Sequence, residues 1–271
     1  MLLTVVGCSG SVSGPTSPAS CYLVQAEEAG ATFSLVLDIG PGAFGALYNY
    51  LHPSAIGAVG LSHLHPDHCL DLCALYVAAA YSPTAPYPRL PVYGPPGTAE
   101  RIARAYAAPP PSQREVTPEE PQLERHFDYR DWSSEQQIGP FTVRTAEVRH
   151  PTPAYATRVT ETATGAVLVY SGDTGPNPAL VELARGADLL LIESAFRDHP
   201  DNAPDLHLSG RQAGEIAAEA GVDSVLITHI PPWHDSADVL AEAEPHFAGP
   251  LTIAVSGARW RIEPGAVRPL A

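Results

Sequence analysis

Ser62-His63-Leu64-His65-Pro66-Asp67-His68 packs three imidazoles and a carboxylate into six residues, directly after the apolar run Ala58–Leu61. Side chains alternate along an extended segment, so His63 and His65 point to one side. Asp67 and His68 fall where the chain turns into a helical pattern, 68–81, and so present to a second position. Gathering three histidines beside an aspartate costs free energy unless a cation ties them together. A metal-free surface cluster is the weaker alternative.

The same grammar recurs downstream. His150 closes the strand pattern Phe141–Val148 and precedes Pro151. Asp173 lies in Tyr170-Ser171-Gly172-Asp173-Thr174-Gly175, where a strand runs into a glycine-flanked turn. His229 follows Ser224–Thr228. Singly, a strand-end histidine caps or faces solvent, and an aspartate between glycines does turn chemistry. Recurring in order after the first motif, all three are expected at one edge of the sheets.

The remaining strand patterns are Leu2–Val6, Tyr22–Gln25, Phe33–Leu37, Pro91–Tyr93, Tyr155–Thr160, Ala166–Tyr170, Asp188–Ile192 and Leu251–Val255, most of them bounded by Gly, Pro, Asp or Ser. Helical patterns over 97–107, 178–185, 210–220 and 237–244 alternate with strands later in the chain, which predicts a layered α/β arrangement. With 271 residues, 45% hydrophobic, the chain can bury a core as one domain over 1–271. The Pro-rich stretch at about 107–132 is expected as a surface excursion.

Thirty acidic against fifteen basic residues give a net charge of −15, the wrong sign for gripping a phosphate backbone, so nucleic acid is a poor partner. No run approaches the roughly 18 apolar residues of a spanning helix. Met1–Val6 lacks a basic leader, and four cysteines without framework spacing suit a reducing compartment, so the expected location is cytoplasmic. There is no Gly-x-Ser-x-Gly elbow, P-loop or dinucleotide fingerprint.

His-x-His-x-Asp-His, a strand-end His, Ser-Gly-Asp-Thr and a second strand-end His together resemble the metallo-β-lactamase superfamily. The resemblance implies a four-layered αββα sandwich and two divalent cations at one sheet edge, zinc foremost, with manganese or iron served by the same ligands. It assigns His63, His65 and His150 to one cation, Asp67, His68 and His229 to the other, and Asp173 to both. Asp38, at the end of Leu35-Val36-Leu37, resembles a supporting residue rather than a ligand. Two such cations share a water and clamp a phosphoryl or carbonyl oxygen, the chemistry of a hydrolase with Asp67 at its catalytic centre.

Three features narrow the substrate. The loop Gly7–Gly14 offers backbone N–H groups and the hydroxyls of Ser9, Ser11 and Ser13 to phosphate oxygens, or serves as an ordinary connection. Asp205-Leu206-His207-Leu208-Ser209-Gly210 resembles the histidine motif of the ribonuclease Z and phosphodiesterase branch, which implies His207 as proton donor to the leaving oxygen; the alternative makes His207 a first-turn helix residue capped by Ser209. The loop with Pro18-Ala19-Ser20, His63–Leu72, Tyr170–Gly175, His207–Gly210 and Thr228–Trp233 are together similar to the actinobacterial cyclic-nucleotide phosphodiesterases. That similarity implies hydrolysis of cyclic AMP to 5′-AMP by a metal-bridging hydroxide, a small phosphodiester as partner, a homodimer, and Trp233 stacking on the base. A ribonuclease Z-like processing enzyme is the second reading. Against it, only 22 residues separate His150 from Asp173, and Tyr170 stands where a carboxylate partner for the histidine is expected. A non-catalytic nucleotide-binding module is the third.

Overall fold

Burial on both faces of the early strands dictates the layers. In β1 (Leu2–Gly7), β2 (Cys21–Glu28) and β3 (Ala31–Leu37), Leu3, Val5, Tyr22, Val24, Leu35 and Leu37 face one core, while Val6, Leu23 and Val36 face another. Strands apolar on both faces need cover on both. A computed structural model describes residues 1–107 and 122–270 and shows how that cover is supplied.

The first sheet adds β4 (Ala58–Gly60), β5 (Leu90–Gly94), β6 (Phe127–Asp131), β14 (Arg259–Glu263) and β15 (Ala266–Leu270), in the order β15-β14-β1-β2-β3-β4-β5-β6. The second holds β7 (Glu135–Ile138), β8 (Phe141–Val148), β9 (Ala154–Glu161), β10 (Val167–Tyr170), β11 (Leu189–Glu193), β12 (Ser224–Thr228) and β13 (Leu251–Ile253), in the order β13-β12-β11-β10-β9-β8-β7. Their facing sides enclose the central core, to which the second sheet contributes Phe141, Val159, Leu168, Leu191 and Leu226. Outside the first sheet lie α1 (Ala43–Leu47), α2 (Pro66–Cys69), α3 (Leu72–Tyr81), α4 (Thr98–Tyr106) and α5 (Leu123–His126). Outside the second lie α6 (Pro178–Ala184), α7 (Gly210–Ala220) and α8 (Ser236–Ala243). The result is an αββα sandwich. Among the described residues no helix is long and apolar enough to cross a membrane.

Two expectations need correction. The pattern over 68–81 is two helices, because Asp71 leaves the helical run between them and accepts the Phe44 N–H at 2.8 Å, tying α1 to α3. The stretch 107–132 is not all excursion: Leu123–His126 is helical and Phe127–Asp131 pairs in parallel with β5 as the last strand of the first sheet. Its residues 108–121 lie outside the described residues.

Candidate metal centre

Strand ends decide which side chains meet. After β4 the chain turns across the sheet edge, and α2 begins at Pro66 with His65 as its extended N-cap residue, so Asp67 and His68 occupy the first turn. Both sheets hold this turn: the Trp132 indole Nε1–H donates to Leu61 O at 2.8 Å, and the Tyr155 N–H donates to Ser62 O at 2.9 Å. Gly40 is required beside it, because a Cβ there would lie 1.9 Å from the Asp67 carbonyl oxygen.

His150 follows β8, Asp173 follows β10 and His229 follows β12, and all three reach the same edge. Two groups of potential ligand atoms result, His63/His65/His150/Asp173 and Asp67/His68/Asp173/His229, with the atoms of each group within 4.8 Å of one another. Asp173 belongs to both. Its Oδ2 lies 3.2 Å from His68 Nε2, 3.2 Å from His229 Nε2 and 3.7 Å from His63 Nε2.

The donor set fits divalent cations. His150 Nδ1–H donates to Leu206 O at 2.9 Å, which leaves the Nε2 lone pair facing His65 Nδ1 at 3.0 Å. His68 Nδ1 bonds Asp38 Oδ2 at 2.7 Å and turns its own Nε2 inward. The buried His63 Nε2, His68 Nε2 and Asp173 Oδ1 make no hydrogen bond at all, a costly arrangement that ligation relieves. Burial, with the His68 charge, holds His63 well below the usual imidazole range, so its lone pair is free. Burial works against charge on both His68 and Asp173. Even so, the Asp173 and Asp38 carboxylates raise His68 well above that range, and His229 with His68 holds Asp173 well below the usual carboxylate range.

Asp38 is fully buried and touches none of the facing ligand atoms. It accepts from the Ser62 N–H (2.7 Å), the Ser62 hydroxyl (2.8 Å) and the Tyr170 hydroxyl (2.7 Å), besides His68. Its carboxylate fixes the tautomer and orientation of one imidazole, which gives Tyr170 a role as well.

His207 precedes α7 rather than sitting in its first turn: Ser209 is the N-cap, closing a capping box with Gln212. Its Nδ1 lies 2.9 Å from Glu193 Oε1 and 4.0 Å from Asp173 Oδ2. Burial lowers its basicity, but the Glu193 carboxylate outweighs that and raises the imidazole to about 9. Glu193 is itself buried and held by the Thr174 and Ala195 N–H groups, each at 2.9 Å. The sequence reading missed this carboxylate. It looked three residues before Asp173, whereas Glu193 is the first polar residue past Leu189-Leu190-Leu191-Ile192, the very signal used for His229.

The serine loop differs from expectation. The N–H groups of Ser9, Gly10, Val12 and Gly14 are spent on Pro18, Ile230, Gly10 and Ser17 carbonyls, and the Ser13 hydroxyl donates to Pro41 O at 2.6 Å. Only the Ser11 N–H turns to the cluster, 3.3 Å from His229 Nε2, through a left-handed Ser11 (φ 60°). Ser20, unsuspected from sequence, holds His229 Nδ1 with its hydroxyl at 3.0 Å. Trp233 is exposed and not in contact with the ligand cluster. Arg158 neither approaches the cluster nor forms a salt bridge; it donates to the Leu183 and Arg185 carbonyls at the end of α6.

Two facing sheets with histidines and aspartates converging at one edge define a metallo-hydrolase of the β-lactamase superfamily. The chain belongs to that superfamily: the model described as "Beta-lactamase superfamily domain" matches residues 34–230. It is 45% identical to an uncharacterized protein of Mycobacterium leprae (strain TN), over 96% of this chain and 88% of that one. It is 29% identical to the probable metallo-hydrolase YhfI of Bacillus subtilis (strain 168), over 96% and 99%. The YhfI crystal structure superposes with a TM-score of 0.80 (28% identity, 96% and 99% covered), and human short-form tRNase Z with 0.71 (19% identity, 97% and 99% covered), the latter a likeness of fold alone.

Proposed function

We propose that the protein is a metal-dependent phosphodiesterase that hydrolyses 3′,5′-cyclic nucleotides, cyclic AMP foremost, to 5′-nucleotides. His63, His65 and His150 would hold one divalent cation and Asp67, His68 and His229 the other, with Asp173 shared. Bound there, two cations of the zinc class would supply an activated water and neutralise the phosphoryl oxygens.

One observation carries the reading: the His207–Glu193 pair beside the shared carboxylate. Addition of water to the cyclic diester forms a P–O bond and breaks the bond from phosphorus to O3′. That O3′ leaves as an alkoxide and needs a proton, whereas a lactam or thioester demands less of its donor. Protonated His207 gives its Nδ1–H to Glu193 and keeps Nε2–H for the leaving oxygen. A long RNA substrate suits the chain less, since its net charge is −15 and only β9, a turn and β10 separate His150 from Asp173.

The test is chromatographic, with cyclic AMP, added zinc or manganese, and the His63→Ala variant alongside. Metal-dependent 5′-AMP that disappears in the variant supports the reading. Metal-loaded protein that forms none, yet trims the 3′ end of precursor tRNA, replaces it with the ribonuclease reading.

A further inference from the structure

Beyond the ligand cluster, the same sheet edge carries a cavity of about 320 Å³, between the loop after β1 and the carboxyl ends of β12 and β13. Crevices at the carboxyl ends of parallel strands are where open α/β sheets bind ligands, and β11, β12 and β13 run parallel. Pro15, Pro232, Ile253 and Val255 give it flat apolar walls, while Ser17 and His234 add hydrogen-bonding groups. Thr228 and Ile230, which flank His229, both line it, so the cavity starts one residue from a proposed cation ligand.

A second observation points to an occupant. Six large apolar side chains are exposed among the described residues, and three of them surround this cavity: Trp233 (63% exposed), Val255 (61%) and Val12 (46%). Val255 lines it. Trp233 stands between the lining residues Pro232 and His234, and Val12 lies on the loop between the lining residues Ser9 and Gly14. An indole left in water beside an apolar slot with a polar rim is the arrangement that a planar heteroaromatic ring completes. The volume is at the lower end of the ~300–1,000 Å³ range of small-molecule sites, matching one nucleoside rather than a strand.

We infer that this cavity is the nucleoside subsite, holding a purine base against Trp233 while the phosphate reaches the cluster beside His229. The inference rests on the phosphodiesterase reading for its place in the reaction, but not for its test. Adenosine, which carries no phosphate, is titrated calorimetrically into the wild type, Trp233→Ala and Val255→Asp. Both replaced side chains are exposed, so neither change burdens folding. Loss of a base-stacking partner weakens binding by about tenfold, and each variant is expected to show that loss. In turnover, kcat/KM for cyclic AMP should fall about tenfold more than for bis(p-nitrophenyl) phosphate, which has no nucleoside. Adenosine that fails to bind the wild type, or binds both variants equally well, overturns the inference. Adenosine bound by a protein that does not hydrolyse cyclic AMP overturns the phosphodiesterase reading and leaves the subsite standing.

Discussion

Glu193→Gln is the sharpest perturbation of the site. The carboxylate accepts from Thr174 N–H and His207 Nδ1 on one oxygen and from Ala195 N–H on the other. A glutamine keeps one acceptor oxygen and turns an NH2 towards the remaining donors, so His207 loses the charge that sustains its proton. Raising an imidazole from 6.5 to about 9 corresponds to ~3 kcal/mol, and His207 is too buried for water to screen much of it. The sign follows: the protonated pair contributes fully below about pH 6.5, and its contribution is lost as pH rises through about 9. General acids contribute about 10²–10⁴ in rate, so kcat for cyclic AMP at pH 8 should fall by about 10². The alkaline limb of the pH profile should move to lower pH. Bound cations displace the limb downward in both proteins, so the difference between them is what informs. Profiles from pH 6 to 10, with bound metal quantified in each sample, decide it. A variant that holds full metal and has its alkaline limb unmoved refutes the proton-donor assignment.

Chelation should lower thermal stability, because ligands that bind only the native state add ~2.7 kcal/mol at a hundredfold excess over Kd; a melting temperature indifferent to a chelator would contradict cation binding. Tyr170→Phe removes the hydroxyl donor to Asp38 Oδ2 while keeping the ring against Tyr22. It should cost ~1.5–3 kcal/mol in urea unfolding, the worth of a hydrogen bond to a charged acceptor. Gly40→Ala drives a methyl into the Asp67 carbonyl at ~1–3 kcal/mol. Elemental analysis should find the variant depleted in metal, and unchanged metal content would show that the α2 turn adapts.

Much of the centre was legible because metal chemistry leaves dense local marks. His63, His65, Asp67 and His68 are neighbours in sequence, and His150, Asp173 and His229 each stop an apolar run. The supports were harder to see, since their meaning depends on partners far along the chain. Ser20 meets His229 across 209 positions, and Tyr170 meets Asp38 across 132. Trp132 stood at the margin of a stretch dismissed as surface, yet it donates to Leu61 O beside the motif. The unforeseen strands β6, β7, β14 and β15 share one cause. Phe-Asp-Tyr-Arg-Asp and Glu-Gln-Gln-Ile carry little apolar alternation, because strands at or near sheet edges bury little. Their state is set by the neighbour they pair with, not by their own composition.

The ligand cluster also draws on both halves of the sandwich, from His63 beside β4 in the first sheet to His229 beyond β12 in the second. A cation gripped by both therefore acts as a crosslink spanning most of the chain, and the sheets cannot part until it lets go. Closing so long a loop removes much of the unfolded chain's freedom, as a disulfide between the same segments would. The lifetime of the native state would then be timed by cation dissociation, making the centre a clock for unfolding as well as a place for chemistry.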